Sequence, residues 1–173
     1  MKQLKPLDYK ILFELMKNAK RSDREIAKKM GVSQATVSRR RTFLEKELID
    51  GYTAIPKWEK LGYEILAITL IKYKPILGSK ETYEAVRKKG TEWLMKHPNI
   101  ILGSGCQGPG VNSFTISVHK SYPDYDKFMQ GLRFDLGEYI DDIQPLLVNL
   151  SGTQVLKPLH LKYLAEAEEA SED

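Results

Sequence analysis

Residues 22–47 read SDREIAKKMGVSQATVSRRRTFLEKE and contain two helix-start signals separated by one turn signal. Ser22 is followed three residues later by Glu25, which is a capping box, and Gly31 supplies the backbone freedom that ends a helix. Ser33 then predicts the start of a second helix, which opens with polar residues and becomes basic. Two short helices joined by a glycine-containing turn predict a helix-turn-helix whose second helix enters the DNA major groove.

The predicted second helix offers several kinds of contact to DNA. Polar side chains near its start suit base edges, and backbone amides at the two helix starts suit phosphates. Arg39, Arg40 and Arg41 point in directions about 100° apart, so they do not share one role. Arg39 suits a base edge or a phosphate, Arg40 suits a phosphate or a packing ion pair, and the direction of Arg41 is left open. For any single residue the alternative is a solvated surface position. The residues predicted to bind DNA are Ser22, Ser33, Gln34, Ala35, Thr36, Ser38, Arg39 and Arg40.

The charge of the chain is unevenly distributed. The 173 residues carry a formal net charge of +4. Residues 1–60 hold 15 Lys and Arg against 8 Asp and Glu, which is +7, whereas residues 61–173 hold 12 against 15, which is −3. A basic first third followed by a slightly acidic remainder favours a nucleic-acid-binding module joined to a second module.

Several classes of protein are disfavoured by composition. Cys106 is the only cysteine, so an intrachain disulfide is impossible and a reducing cytoplasm is expected. The start of the chain does not resemble a secretory signal, and the most apolar stretch, residues 65–71, is far too short to span a bilayer. His97, His119 and His160 show no metal-ligand spacing. We therefore expect no metal, no cofactor and no membrane partner.

The second half of the chain alternates between strand and helix patterns. The element order predicts β-α-β-β-α-β, the ferredoxin-like arrangement, with Ser79 as the N-cap of its first helix and an interruption near Pro145 in its last strand. The first strand, beginning at Ile65, is apolar at nearly every position, which indicates cover on both faces. Helices cover one face of such a sheet, so a second copy of the chain is expected on the other, and we predict a homodimer or a higher oligomer.

The fold class predicted from these patterns is α+β. An N-terminal winged helix-turn-helix is expected first, with its small wing in the extended run after Gly51. A connector and a ferredoxin-like dimerisation or effector domain follow, and then a C-terminal helical extension with an acidic tail. The predicted boundaries are 1–56, 57–64, 65–152 and 153–173.

A glycine-rich bend occupies residues 103–110, between two predicted strands. Two interpretations stay open at this point: a loop that binds a small-molecule effector, or a plain flexible hairpin. The bend lacks the strand-to-helix setting of a phosphate-binding loop, so nucleotide binding is disfavoured. The residues named for an effector site are Gly105, Gly108, Gly110 and Asn112.

Short motifs between residues 7 and 63 carry a family resemblance. They are Leu7-Asp8, Ile26-Ala27, Val37-Ser38-Arg39-Arg40, Asp50-Gly51-Tyr52-Thr53-Ala54 and Leu61-Gly62-Tyr63. With them the sequence resembles the Lrp/AsnC (feast–famine) family of prokaryotic transcription regulators. The resemblance implies a winged helix-turn-helix, a regulatory (RAM-type) domain, dimers able to assemble further, and often an amino-acid effector. A dimer with one recognition helix per half-site is expected to bind a pseudo-palindromic double-stranded DNA site.

The sequence departs from the pattern of that family in several places, and two of the departures bear on the predicted sites. Arg41 stands where an apolar residue is usual, and Asn112 stands where the effector turn usually has an acid. A neutral Asn forms hydrogen bonds but no ion pair with an ammonium group. The alternative function is an enzyme that processes a tetrapyrrole or another metabolite on the same scaffold, as some relatives of the family are haem-pathway decarboxylases.

Overall fold

The structure is a computed structural model that describes residues 4–75, 79–108, 110–152 and 155–170. Pro109 of the glycine-rich bend lies outside these ranges, and so do residues 153–154 and 171–173 of the predicted extension. The described helices and strands, in chain order, are α1 (Pro6–Lys17), α2 (Asp23–Met30), α3 (Gln34–Glu47), β1 (Ile65–Tyr73), α4 (Lys80–Lys96), β2 (Ile100–Gly108), β3 (Val111–His119), α5 (Tyr122–Leu136), β4 (Ile140–Asn149) and α6 (Lys162–Ala170).

The chain divides into two compact units. The helical unit consists of Met1–Ile55 together with Pro158–Asp173, and the sheet unit consists of Pro56–Lys157. Within the described ranges, no helix combines the length and the hydropathy that a membrane crossing requires.

Helices α1, α2 and α3 of the helical unit enclose one apolar core. The capping box predicted at Ser22 is confirmed, because the Glu25 amide donates to Ser22 Oγ while the Ser22 amide donates to the Glu25 carboxylate. Gly31 ends α2 in the left-handed region at φ 68°, as the turn requires. The buried side chains of the core are Ile11, Leu15, Ile26, Ala27, Val37 and Leu44. Their burial is the main source of stability of the helical unit.

Helix α1 begins before Asp8, although an aspartate at the start of a helical pattern, as in Leu7-Asp8, predicts the N-cap. The N-cap is Lys5, with Pro6 in the first turn, where a missing amide hydrogen costs nothing. Asp8 is the third helical residue, and its carboxylate accepts a hydrogen bond from the Lys5 amide at 2.7 Å. The acid therefore reaches back to the chain before the helix, and both of its oxygens also accept hydrogen bonds from a residue of α3.

The C-terminal helix α6 belongs to the helical unit and packs against α1. Ala165 is fully buried, and Lys17 near the end of α1 pairs with Glu169. The helix predicted in the extension is thus confirmed.

The sheet unit has the predicted β-α-β-β-α-β order. Its four antiparallel strands lie in the order β2-β3-β1-β4. The N-cap predicted at Ser79 is confirmed, since Ser79 Oγ accepts from the Thr82 amide at 3.4 Å. Helices α4 and α5 cover one face of the sheet, and the core between them contains Ala67, Ile71, Trp93, Tyr125, Met129, Leu132, Leu136 and Ile140.

Strand β4 continues through Pro145, so the predicted interruption there is wrong. Pro145 pairs in register with Thr69 of β1. Because β4 is an edge strand, alternate backbone amides point away from the sheet, and a proline at such a position removes no ladder bond.

The face of the sheet opposite α4 and α5 presents a row of aliphatic side chains that crosses all four strands. Ile68 pairs with Ile116 on one side and with Leu146 on the other, and Ile116 pairs with Leu102. Ala67, one residue before Ile68, points to the helix-covered face and is fully buried. We call this row, Leu102–Ile116–Ile68–Leu146, the open-face row.

Candidate nucleic-acid interface

The turn before α3 fixes the helix start with two side-chain hydrogen bonds. The Thr36 amide donates to Ser33 Oγ at 3.2 Å, and the hydroxyls of Ser33 and Thr36 lie 2.9 Å apart. Ser33 is therefore an N-cap, as predicted. Thr36 is half-buried and its hydroxyl already has a partner, whereas Gln34 and Ala35 are exposed.

One face of α3 is exposed along two turns. Ala35, Ser38, Arg39 and Thr42 follow the i, i+3, i+4, i+7 spacing that aligns side chains on one side of a helix, and each is exposed. Thr42 was not among the predicted residues, although its spacing of four from Ser38 and three from Arg39 is visible in the sequence. Its hydroxyl donates to the Ser38 carbonyl at 3.1 Å. We call Ala35, Ser38, Arg39 and Thr42 the exposed face of α3.

Arg40 is held against α1 by the buried acid Asp8. The guanidinium donates to both carboxylate oxygens, and the Asp8 side chain is fully buried. Burial alone would raise the pKa of Asp8, but hydrogen bonds from Arg40 and from the Lys5 amide outweigh it and lower the pKa overall. Of the two roles left open for Arg40, this arrangement corresponds to the packing ion pair.

Arg41 points away from the exposed face and into the junction between helices. Nη1 lies 3.1 Å from both the Arg21 carbonyl and an Asp23 carboxylate oxygen, and Nε lies 3.0 Å from a Glu45 oxygen. The Tyr52 hydroxyl donates to the same Glu45 oxygen at 2.9 Å. The question of whether Arg41 faces outward or packs is thereby answered in favour of packing.

Arg39 differs from the other two arginines of α3 in its surroundings. Within the part of the chain that the structure describes, it is the one member of the triplet for which no ion pair is observed. It is exposed, so its charge faces outward from the helix. The amide of Ser22, another predicted phosphate contact, is already donated to Glu25.

The segment after α3 does not form the predicted wing strand. Residues 49–57 are irregular, and Tyr52 and Ile55 are exposed. Tyr52 is nevertheless tied to α3 through Glu45.

The glycine-rich bend connects β2 and β3 as a hairpin. Gly110 has φ 79°, which suits glycine, and the register shifts between Gly105 and Gly108. The side chain of Asn112 is bonded at both ends to Tyr73: its oxygen accepts from the Tyr73 amide at 2.9 Å, and its nitrogen donates to the Tyr73 carbonyl at 3.4 Å. Asn112 therefore extends the pairing of β1 and β3 beyond its last backbone pair.

Two surface cavities of the sheet unit are lined by residues outside that hairpin. One, of about 310 Å³, is lined by residues from the end of α5 and the start of β4, including Arg133 and Asp141. The other, of about 690 Å³, lies between α4 and α5, with Trp93 and Asp135 in its wall. Neither lining contains Gly105, Gly108, Gly110 or Asn112.

Comparisons with known proteins agree with this architecture. Residues 6–45 match the model of the AsnC-type helix-turn-helix domain. The HTH-type transcriptional regulator FL11 of Pyrococcus furiosus is 28% identical over 152 residues, which are 87% of this chain and 84% of the relative.

Solved structures share the fold at low sequence identity. A transcriptional regulator of Neisseria meningitidis, solved as a complex with L-Met, matches with a TM-score of 0.76 and 18% identity over 94% of this chain and 99% of that one. An AsnC family transcriptional regulator of Agrobacterium tumefaciens matches with a TM-score of 0.75 and 21% identity over 93% and 99%. At these identities the likeness shows the fold alone.

The match at residues 6–45 defines a DNA-binding helix-turn-helix domain, and the chain continues into a four-stranded ferredoxin-like sheet. The resemblance drawn from the sequence motifs is confirmed, since the chain carries an AsnC-type domain and its relatives are transcriptional regulators. The chain thus carries an AsnC-type helix-turn-helix domain, and over most of its length it is similar to a transcriptional regulator.

Proposed function

We propose that this regulator binds a pseudo-palindromic DNA site as a dimer and reads each half-site with the exposed face of α3. The observation that carries the proposal is the separation of tasks among three adjacent arginines. Arg40 and Arg41 are engaged with acids inside the helical unit, while Arg39 points outward beside Ser38 and Thr42. An arginine suits a guanine edge or a phosphate, and hydroxyls suit several base edges.

The dimer is proposed to form through the open-face row. Leu146 is 55% exposed and Leu102 is 49% exposed, although both lie on an apolar sheet face in register with Ile68 and Ile116. Exposed apolar patches of this kind favour association, and a two-fold dimer places the same patch on both partners. Such a dimer would present two α3 helices to half-sites about 34 Å apart, or a multiple of that spacing.

Modulation by an amino acid or another small molecule is the second part of the proposal. Its support is the Neisseria meningitidis neighbour, whose structure is a complex with L-Met. In this chain Asn112 is neutral and is bonded at both ends to Tyr73, so it is not the group that would hold an ammonium ion. The hairpin residues Gly105, Gly108 and Gly110 remain the predicted effector loop.

The DNA-binding part is tested by titrating the protein with a duplex selected from a random pool and with a scrambled duplex. We expect tighter binding to the selected duplex, and an affinity that falls steeply with salt because neutralised phosphates release counterions. Arg39→Ala should weaken binding to the selected duplex by about 1–3 kcal/mol. Arg87→Ala, a change at an exposed arginine of α4, is the matched control and should have no effect. Equal affinity for both duplexes would refute the proposed function.

The effector part is tested by calorimetric titration with L-methionine and a panel of other amino acids. Saturable binding that also shifts affinity for the selected duplex supports modulation, since two linked ligands change each other's affinity by one factor. Heats that do not saturate across the panel would remove amino acids as effectors. An Asn112→Asp variant supplies the missing acid and should bind an ammonium-bearing ligand more tightly if the hairpin is the site.

A further inference from the structure

The side chain of Arg41 connects α3 to three other parts of the helical unit. Its guanidinium reaches the carbonyl of Arg21, with the Ala19 carbonyl at 3.5 Å, and these belong to the link between α1 and α2. It also pairs with Asp23 in the first turn of α2. Through Glu45 it is connected to Tyr52 in the segment that follows α3.

The geometry of a guanidinium makes such a connection directional. Arginine presents five donors in a rigid plane, so several bonds made at once fix the orientation of the group. The side chain is 21% exposed, and its charge lies beside two carboxylates, those of Asp23 and Glu45. An ammonium group in the same place has no planar fork and cannot satisfy two carbonyls and two acids in the same manner.

Arg40 and Arg41 lie on opposite flanks of the apolar line by which α3 packs. Val37 and Leu44 are fully buried and are seven residues apart, so they fall on nearly the same side of the helix. Each arginine is three or four residues from both, one on each side of that line. The Arg40–Asp8 pair holds one flank against α1, and the Arg41 bonds hold the other against the α1–α2 link.

This arrangement fixes the rotation of α3 about its own axis. Two apolar side chains on one line allow small rotations, and the two flanking clamps resist them in opposite directions. A side-chain tip about 6 Å from the helix axis moves about 1 Å for a rotation of about 10°. A displacement of that size is enough to break hydrogen bonds between the exposed face and base edges.

We propose that Arg41 is a positioning residue that sets the rotation of α3 and thereby the base specificity of the regulator, without touching DNA itself. The inference rests on the proposed function, because it assumes that the exposed face of α3 reads bases. It assigns Arg41 a role different from that of Arg39, although the two residues are separated by one position and carry the same charge.

The test compares affinity for the selected duplex with affinity for a scrambled duplex, at several salt concentrations, in Arg41→Lys and Arg41→Gln. A phosphate contact would appear as a salt slope reduced by about 0.9, with both affinities falling together and with rescue by lysine. A positioning role leaves the slope unchanged and lowers the ratio of the two affinities by about tenfold. Lysine should not restore that ratio, because it cannot reproduce the fork of bonds.

Asp23→Asn gives a second test, in which the ratio of the two affinities should again fall although affinity for the scrambled duplex rises. Removing an acid near the interface should strengthen binding to the scrambled duplex, because it removes repulsion of phosphates. Binding to the selected duplex should not gain as much, so the ratio falls as it does in the Arg41 variants. This variant keeps Arg41 itself, and it replaces a side chain that is 21% exposed.

The outcomes separate the two proposals. A wild-type ratio near one overturns the proposed function and this inference together. A large wild-type ratio that persists in Arg41→Lys, Arg41→Gln and Asp23→Asn overturns the inference alone. Amide exchange in α2 and α3, measured on each free variant, checks that the helices are formed at the temperature of the titrations.

Discussion

Arg40 and Asp8 lie 32 residues apart in the chain and meet in a two-point ion pair that joins the middle of α3 to the first turn of α1. Asp8 is fully buried, so the partner that neutralises it also determines where α3 can lie. Removing one member of a buried pair is more costly than replacing both, because the remaining group loses its compensation. The pair therefore fixes the packing of α3 against α1 in the helical unit.

Asp8→Asn should destabilise the helical unit by about 1.5–3 kcal/mol at pH 7, because it removes a hydrogen-bonded charge. The pKa of Asp8 is lowered on folding, so its contribution is complete above the ordinary value of 3.8 and is lost as the pH falls through the lower folded value. Wild type should thus lose stability more steeply than the variant below about pH 4. Urea unfolding as a function of pH measures both effects.

The control for that prediction is Asp50→Asn, a change at an exposed acid beyond the end of α3. It should leave both the stability at pH 7 and the shape of the acid limb close to those of wild type. An Asp8→Asn variant that is as stable as wild type would contradict the role of the pair.

His119 predicts a second dependence on pH, in the sheet unit. It is 1% exposed, its Nε2 lies 2.8 Å from Ser117 Oγ, and the rings of Tyr125 and Phe128 pack beside it. Burial lowers the pKa of His119, with Asp124 acting weakly in the opposite direction. The folded state therefore resists a proton that the unfolded state accepts below about pH 6.5.

Stability of the sheet unit should consequently decline as the pH falls from about 6.5 towards the lower folded pKa of His119. His119→Gln should flatten that part of the profile, because glutamine does not titrate. Urea unfolding from pH 5 to 7.5, followed by tryptophan fluorescence, compares the two slopes. Identical slopes would show that His119 does not contribute.

The packing of helix α6 against α1 in the helical unit can be tested by a pair of substitutions at alanines. Ala165→Asp places a charge at a fully buried position against α1, whereas Ala167→Asp places the same charge at an exposed position of the same helix. An unpaired buried charge is far more costly than an exposed one, so the first variant should release α6 and the second should not. Amide exchange in residues 158–170 should increase only in Ala165→Asp. Equal exchange in both variants would place α6 outside the unit.

Ile68→Lys tests the open-face row. It puts a charge at the centre of the proposed dimer interface, so the dissociation constant should rise by tenfold or more, on the order of 1.4 kcal/mol. Met95→Lys, at a position of α4 that is 82% exposed, is the control. Sedimentation equilibrium over a range of concentrations measures both variants. A variant that dimerises as tightly as wild type would rule out this face.

Local signals in the sequence were sufficient for the helix starts and for the order of the strands. Ser22, Ser33 and Ser79 cap helices because a hydroxyl followed by free backbone amides is a local arrangement, independent of the rest of the fold. The second apolar face of the sheet was likewise predictable, because β1 is apolar at nearly every position and successive side chains point to opposite faces; Ile71 lies in the core on the helix-covered face.

Relations between distant residues were not available from those signals. Asp8 looks like a cap in sequence, and its pairing with Arg40 depends on how α1 and α3 cross. The direction of Arg41 is likewise decided by carbonyl groups of the α1–α2 link, which no residue pattern encodes. Helix α6 packs against α1 because the chain returns to the helical unit after β4, and no local pattern predicts that return.

The roles proposed for Arg39 and Arg40 are tested by selecting bound DNA from a random pool in parallel with wild type, Arg39→Gln and Arg40→Gln. Arg39→Gln should change the preferred base at symmetric positions of the two half-sites. Arg40→Gln should bind more weakly and discriminate less at every position of the motif, without a new preferred base, because Arg40 packs against Asp8 and is not proposed to contact a base. A motif unchanged by Arg39→Gln, or a new preferred base in Arg40→Gln, would contradict these two roles.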